Sequence, residues 1–271
     1  MKLHYKKSGQ GKPIIILHGL LGMLDNWQTI GKVLSETNTV FLADARNHGH
    51  SPHSDIFNYD VMADDINEFM EDEKIDEAIL MGHSMGGKTV MKFAQKYPEK
   101  VEKFIVVDIA PKYYPVHHDA IFEALLAVNF TFVKSRKDAE EILAKYITEN
   151  YVRQFLLKNL YWLPHPQPLS NGEGSESSHN QLAWRFNLET IYKNLENIGE
   201  AMDEKTIEKS ALFLRSEKSN YILDDDFEML KKKFPQSEIK TIPNTGHWIH
   251  SEQPELFVKA VVEFLTLNSK L

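Results

Sequence analysis

The chain has 271 residues, 42% of them hydrophobic, a formal charge of −8 and no cysteine. That length supports one large core with a subsidiary lobe, and the absence of thiols excludes disulfides, cysteine nucleophiles and cysteine-based zinc or iron–sulfur sites. The negative charge argues against nucleic acid as a partner; no apolar run reaches the roughly 18 residues of a membrane span and residues 1–7 lack a signal-peptide core, so a cytoplasmic protein without stable membrane insertion is expected.

Leu3 to Lys7 reads as an amphipathic edge strand. Pro13 to His18 is a continuous apolar run ending at Gly19, as a strand buried on both faces should be. Helical spacing follows from Trp27 to Leu34, then a strand at Thr39–Ala43, a helix at Tyr59–Glu71, a strand at Ala78–Met81, a helix at Gly86–Tyr97 and a strand at Phe104–Val107. The alternation then stops. Residues 111–208 offer helical patterns at Ala120–Val128, Arg136–Tyr146 and Tyr151–Leu160 and no convincing strand, which predicts a helical cap inserted after the fifth strand. Within it, the Pro/Gly/Ser tract at 163–178 has too little apolar content to order itself and is expected to be a mobile loop. Strands at Ala211–Leu214 and Ile239–Ile242 and helices at Phe227–Phe234 and Pro254–Leu267 complete the chain. The lysine run Lys231–Lys233 ends a helix and predicts a solvated face. Strands alternating with helices give an α/β class with a mostly parallel, doubly wound sheet. Its core is expected in residues 1–110 and 209–271, with the cap at 111–208.

Gly82-His83-Ser84-Met85-Gly86 has G-x-S-x-G spacing, with an apolar run before it and a helical pattern after it. Flanking glycines permit the sharp turn that holds a serine at the strand tip, the arrangement of a nucleophile elbow. A serine hydroxyl needs a base. Among the chain's 12 histidines, His247 directly follows the last strand, and the carboxyl ends of parallel strands share one edge where it can meet Ser84. An acid must orient that base. Asp108, at the end of the fourth buried strand, is preferred; Glu217 and Ser219, in the loop after Leu214, compete, and Asp224, Asp225 and Asp226 read as caps for the next helix. The transition-state oxyanion needs preset N–H donors, for which the amides of Met85 and Leu20 are the candidates. His83, Trp184 and Trp248 are candidates to touch substrate. Trp162, Trp184, Phe122, Phe130 and Phe132 read either as an acyl pocket or as cap core, and His117, His118 and His165 belong to the cap. His48, His50 and His53 raise the question of a metal, but their spacing is not that of a helical metal motif, so a structural turn is preferred and no metal is expected.

Taken together, His18-Gly19, Asp44-Ala45-Arg46-Asn47-His48-Gly49-His50-Ser51, Gly82 to Gly86, the cap and Gly246-His247 resemble the α/β-hydrolase superfamily over nearly the whole chain. His18 to Trp27, Gly82 to Lys88, Asp108-Ile109-Ala110-Pro111 and Trp184 to Leu188 are similar to the YbfF-type bacterial esterases, and related mitochondrial hydrolases share much of the pattern. The resemblance implies acyl transfer to water, and it implies Asp108 as the acid. Ser219 stands about where most of the superfamily carries that aspartate. Relatives that are dehalogenases and epoxide hydrolases have an aspartate at the elbow, where this chain has Ser84. The expected activity is therefore a serine hydrolase, cleaving short to medium acyl esters or thioesters through an acyl-enzyme, with no cofactor and a small-molecule substrate. The alternatives are a C–C bond hydrolase or menaquinone-type lyase with the same triad, and a non-catalytic ligand-binding protein of this fold.

Overall fold

The computed structural model describes residues 1–115, 119–163 and 181–267. The predicted apolar runs become strands because they place apolar side chains alternately on the two faces of a sheet, both covered along β4 and β5 and only partly along β9. Seven strands form one sheet: β1 (Tyr5–Ser8), β2 (Lys12–Leu17), β3 (Asn38–Ala43), β4 (Ala78–His83), β5 (Val101–Val107), β8 (Ser210–Ser216) and β9 (Ser237–Ile242), in the order β1-β3-β2-β4-β5-β8-β9. β1 runs antiparallel to β3 at the edge, with Tyr5 opposite Ala43, and the other pairings are parallel.

The period of two can be followed along β2. Ile15 and Leu17 join one core layer with Phe41, Leu80, Phe104 and Phe213, closed by α2 (Tyr59–Asp72), α3 (Met85–Lys96) and α9 (Phe227–Lys233). Ile14 and Ile16 join the other with Ile79, Ile105 and Leu212, closed by α1 (Gln28–Leu34) and α10 (Pro254–Leu267). The start of α2 is fixed by Asn58, whose side chain accepts a hydrogen bond from the Val61 amide at 3.0 Å.

Between β5 and β8 lie α4 (Asp119–Ala127), α5 (Arg136–Leu143), α6 (Asn150–Leu157), α7 (Leu188–Lys193) and α8 (Leu195–Gly199). Their apolar faces form a third cluster that reaches down to Leu21, Tyr59 and Met85. One expectation fails here. β6 (Leu160–Trp162) and β7 (Leu182–Trp184) pair antiparallel, with Leu160 opposite Trp184, in a segment that showed no strand pattern. Three residues are too few to display alternation, and the partners are distant in sequence. The helix expected at Tyr151–Leu160 accordingly ends at Leu157, which frees Leu160 for the hairpin. Residues 164–178 of the Pro/Gly/Ser tract, together with His117, His118 and His165, lie outside the described residues.

Two smaller corrections concern charge. Lys233 is not solvated: it is buried and donates to the Met202 carbonyl at 3.0 Å. Asp226 does not cap α9 with its carboxylate, which instead accepts from the Leu223 amide at 2.7 Å and pairs with Lys112 at 2.6 Å.

Candidate active site

Ser84 sits between β4 and α3 with φ 52° and ψ −117°, a left-handed conformation that a non-glycine residue adopts at a cost. The turn is this tight because its flanks carry no side chains: a Cβ on Gly82 would lie 2.1 Å from the Gly86 carbonyl oxygen, and one on Gly86 would lie 2.6 Å from that of His18. The Ser84 amide is tied to the Val107 carbonyl at 3.0 Å. Met85 opens α3, so its amide has no partner four residues back within the helix.

Asp108 leaves β5 with φ 49° and is fully buried. Its amide donates to the Leu214 carbonyl at 2.8 Å, and its Oδ1 accepts from the Ser216 amide at 3.0 Å. Oδ2 lies 2.8 Å from His247 Nδ1. An acceptor at Nδ1 fixes the proton there and leaves Nε2 as the basic nitrogen. The Tyr221 ring stacks on the imidazole, with centroids 4.0 Å apart and planes at 20°. The competing loop residues are engaged elsewhere: Glu217 accepts from the Asn244 amide at 2.7 Å, and Ser219 Oγ accepts from the Tyr221 amide at 3.1 Å.

The backbone around His247 is held from several sides. Glu252 accepts from the Gly246 amide at 2.7 Å and the Trp248 amide at 3.3 Å, while the Ser216 hydroxyl donates to the Thr245 carbonyl. His83 Nε2 donates to the His247 carbonyl at 2.8 Å. Burial, reinforced by the neighbouring His247 and His250, pushes the His83 pKa well below the ordinary histidine value, so it is a neutral donor.

Leu20 lies in the loop after β2, and two histidines set that loop. His18 Nδ1 donates to the Gly19 carbonyl at 2.8 Å while its Nε2 accepts from the Ala45 amide at 3.0 Å. His48 Nδ1 donates to the Arg46 carbonyl at 2.9 Å while its Nε2 accepts from the Leu21 amide at 3.1 Å. Both rings must be neutral to do this. Burial lowers the His18 pKa, and burial plus the adjacent His18 lowers that of His48 to about 3. Residue type alone did not reveal these roles. The signal was position, each histidine standing just beyond a buried strand.

Ser84 faces two cavities. The smaller, about 190 Å³, is shared with Leu20, His83, His247 and Trp248 and walled by Val152, Phe155 and Leu156. The larger, about 370 Å³, is shared with Leu20 and Met85 and walled by Tyr59, Ile109, Tyr114 and Ile198. The structure thus brings Ser84, His247, Asp108, Leu20, Met85, His83 and Trp248 to one place. It does not bring Trp184, which is buried against Phe186 with the rings stacked 5.4 Å apart and lines neither cavity. Phe122 is likewise buried in the cluster between β5 and β8, Phe130 packs on Trp184 at 5.5 Å, and Trp162 and Phe132 are exposed. The aliphatic residues of α6 and α8 that line the cavities carry no distinguishing signal in the sequence, because helical periodicity marks an apolar face without saying what it covers.

Among the described residues, no group of three or more His, Asp or Glu side chains could hold a metal ion. His48 is committed to the Leu20 loop, and His53 Nε2 lies 3.1 Å from the Arg185 carbonyl. No described helix is long and apolar enough to cross a membrane.

The alpha/beta hydrolase fold family matches residues 12–254. The sn-1-specific diacylglycerol lipase ABHD11 of Danio rerio is 36% identical over 266 residues, covering 95% of this chain and 79% of that protein. Esterase YbfF of Escherichia coli strain K12 is 33% identical over 254 residues, covering 93% of this chain and 92% of that protein. A solved structure of a marine microorganism esterase superposes with a TM-score of 0.89 at 38% identity, covering 97% of this chain and 99% of that one. The chain therefore belongs to the α/β-hydrolase fold family and stands close to the YbfF-type esterases within it.

Proposed function

We propose that the protein is a serine esterase that hydrolyses carboxylic esters of short to medium acyl chains through an acyl-enzyme. The observation that carries this is the 2.8 Å contact of the buried Asp108 carboxylate with His247 Nδ1, in a base that shares a cavity with Ser84 at its elbow. Ser84 Oγ attacks the ester carbonyl as His247 Nε2 takes its proton, and Asp108 holds the imidazolium that results. The amides of Leu20 and Met85 receive the oxyanion. His247 then returns the proton to the leaving alcohol. In the second half-reaction it draws a proton from water, which attacks the acyl group and frees Ser84. The segment between β5 and β8 serves as the cap that shapes the substrate cavities. The relatives named esterase and lipase support the ester class.

The test is hydrolysis of p-nitrophenyl esters of graded acyl length by the wild type and by Ser84→Ala. Turnover that disappears in the variant is the expected result. A variant as active as the wild type removes Ser84 as nucleophile, and inertness of both favours the C–C hydrolase or the ligand-binding alternative.

A further inference from the structure

Lys88 lies on α3, one helical turn beyond Ser84, and is 1% exposed. A buried ammonium ordinarily pairs with a carboxylate. This one contacts carbonyls and rings instead. It donates to the carbonyl of Gly199 at 3.2 Å and to that of Glu200, both at the end of α8, and lies 4.9 Å from the Tyr114 ring centroid and 5.7 Å from that of Tyr59. Gly199, Tyr114 and Tyr59 all line the larger cavity beside Ser84. They are also joined to one another: the Tyr114 amide donates to the Gly199 carbonyl at 2.8 Å, and Tyr59 Oη donates to the Ile198 carbonyl at 2.7 Å. A single cation therefore ties the helix behind the nucleophile to three separate pieces of that wall. Its place at the C-terminal carbonyls of α8 is also the favourable one for a positive charge.

We infer that Lys88 is a positioning residue that sets the shape of the larger cavity and thereby selects the acyl group. The inference rests on the ester-hydrolase reading above. The leaving alcohol has to face His247, which lines the smaller cavity, so the acyl chain takes the larger one. An acetyl group ends near Ser84 and hardly feels the wall, whereas an octanoyl chain packs along Tyr59, Ile198 and Tyr114.

The charge on Lys88 gives a readout that a purely structural lysine would lack. Burial lowers its pKa to about 8, against the opposing pull of Glu200 beyond α8. The two tyrosines facing it stay protonated near that pH. Tyr59, from α2, and Tyr114, from the segment after β5, are both raised above the ordinary tyrosine value by burial. Lys112, which lies 5.5 Å from the Tyr114 ring, is paired with Asp226 at 2.6 Å, and Lys92 on the same helix is paired with Asp60 and Asp203.

The experiment is the ratio of kcat/KM for p-nitrophenyl octanoate to that for p-nitrophenyl acetate, which cancels the titration of the base because both esters share it. In the wild type the ratio should fall as the pH rises, with a midpoint near 8. In Lys88→Met it should be about tenfold lower at pH 7 and flat with pH, since the carbonyls of α8 lose their buried partner. In Lys88→Arg, whose charge persists throughout this range, the step with pH should vanish. A wild-type ratio that is flat from pH 7 to 9.5, or a folded Lys88→Met with the wild-type ratio, overturns the inference. Failure of the esterase reading would register separately, as hydrolysis that survives Ser84→Ala or as a wild type inert toward both esters, and the inference that rests on it falls with it.

Discussion

Two non-glycine residues at neighbouring strand ends, Ser84 and Asp108, both sit at positive φ, 52° and 49°. Each conformation costs on the order of 1 kcal/mol or more and persists only where its surroundings over-determine it. For Asp108 those surroundings are identifiable: an amide bound to β8, one carboxylate oxygen bound to Ser216 and the other to His247. Asp108→Asn keeps the size and tolerates the backbone, but it can turn an NH₂ toward Nδ1 and hold the imidazole in the wrong tautomer. Its kcat should fall by up to about 10⁴-fold. Glu217→Ala removes only a contact to the Asn244 amide and should cost less than about tenfold. Steady-state kinetics on both variants decide between the two acids, and a reversed order would move the acid to the loop after β8. The sequence left this choice open because two strand ends offered carboxylates, and only the pairing of β5 with β8 determines which one His247 meets.

Among elements, the loop after β2 depends most on groups outside itself. The Leu21 amide is satisfied by His48 Nε2, and the Leu21 carbonyl accepts from Asn159 of the segment following α6 at 2.9 Å, so a turn beyond β3 and an element above the sheet together aim the Leu20 amide. Replacing His48 by Ala strands the Leu21 amide and frees the loop. We expect kcat to drop by about 10²-fold, the scale of losing one oxyanion donor, with a much smaller change in KM. An unchanged kcat would show that Leu20 does not need this support. The parallel strands and their crossover helices could be read from apolar runs, since burial on two faces leaves a continuous signal. The β6–β7 hairpin and the short α7 and α8 could not, because three to six residues carry too little periodicity and their partners lie far along the chain. The serine and the histidine could be picked out by position: each follows a strand whose carboxyl end lies on the shared edge of the sheet, β4 buried along its whole length and β9 only in part.

For the whole molecule, the buried histidines govern the response to acid. Burial lowers the pKa of His18, His48, His83 and His250, with His48 and His250 held at about 3. An unfolded histidine titrates near ~6.5, so below that pH the unfolded chain binds protons that the native state refuses. The stabilisation is complete above about pH 6.5 and drains as the pH falls toward the native values, the slope approaching about 1.4 kcal/mol per pH unit for each of His48 and His250. The melting temperature should therefore drop steadily between pH 6.5 and 5, before most carboxylates titrate. Calorimetry that finds it constant over that interval would show that these imidazoles take up protons without unfolding.

The contact between Asp108 and His247 spans 139 residues of sequence and crosses β8, whose Leu214 and Ser216 both bind Asp108. On the proposed chemistry, a chain emerging from the ribosome carries its serine and its acid long before its base, and it acquires hydrolytic power only when the last third has been made and threaded into the sheet. Catalysis is thus a built-in report of completed folding: a truncated or half-assembled copy is silent, and the specific activity of a preparation measures the fraction of its molecules that finished.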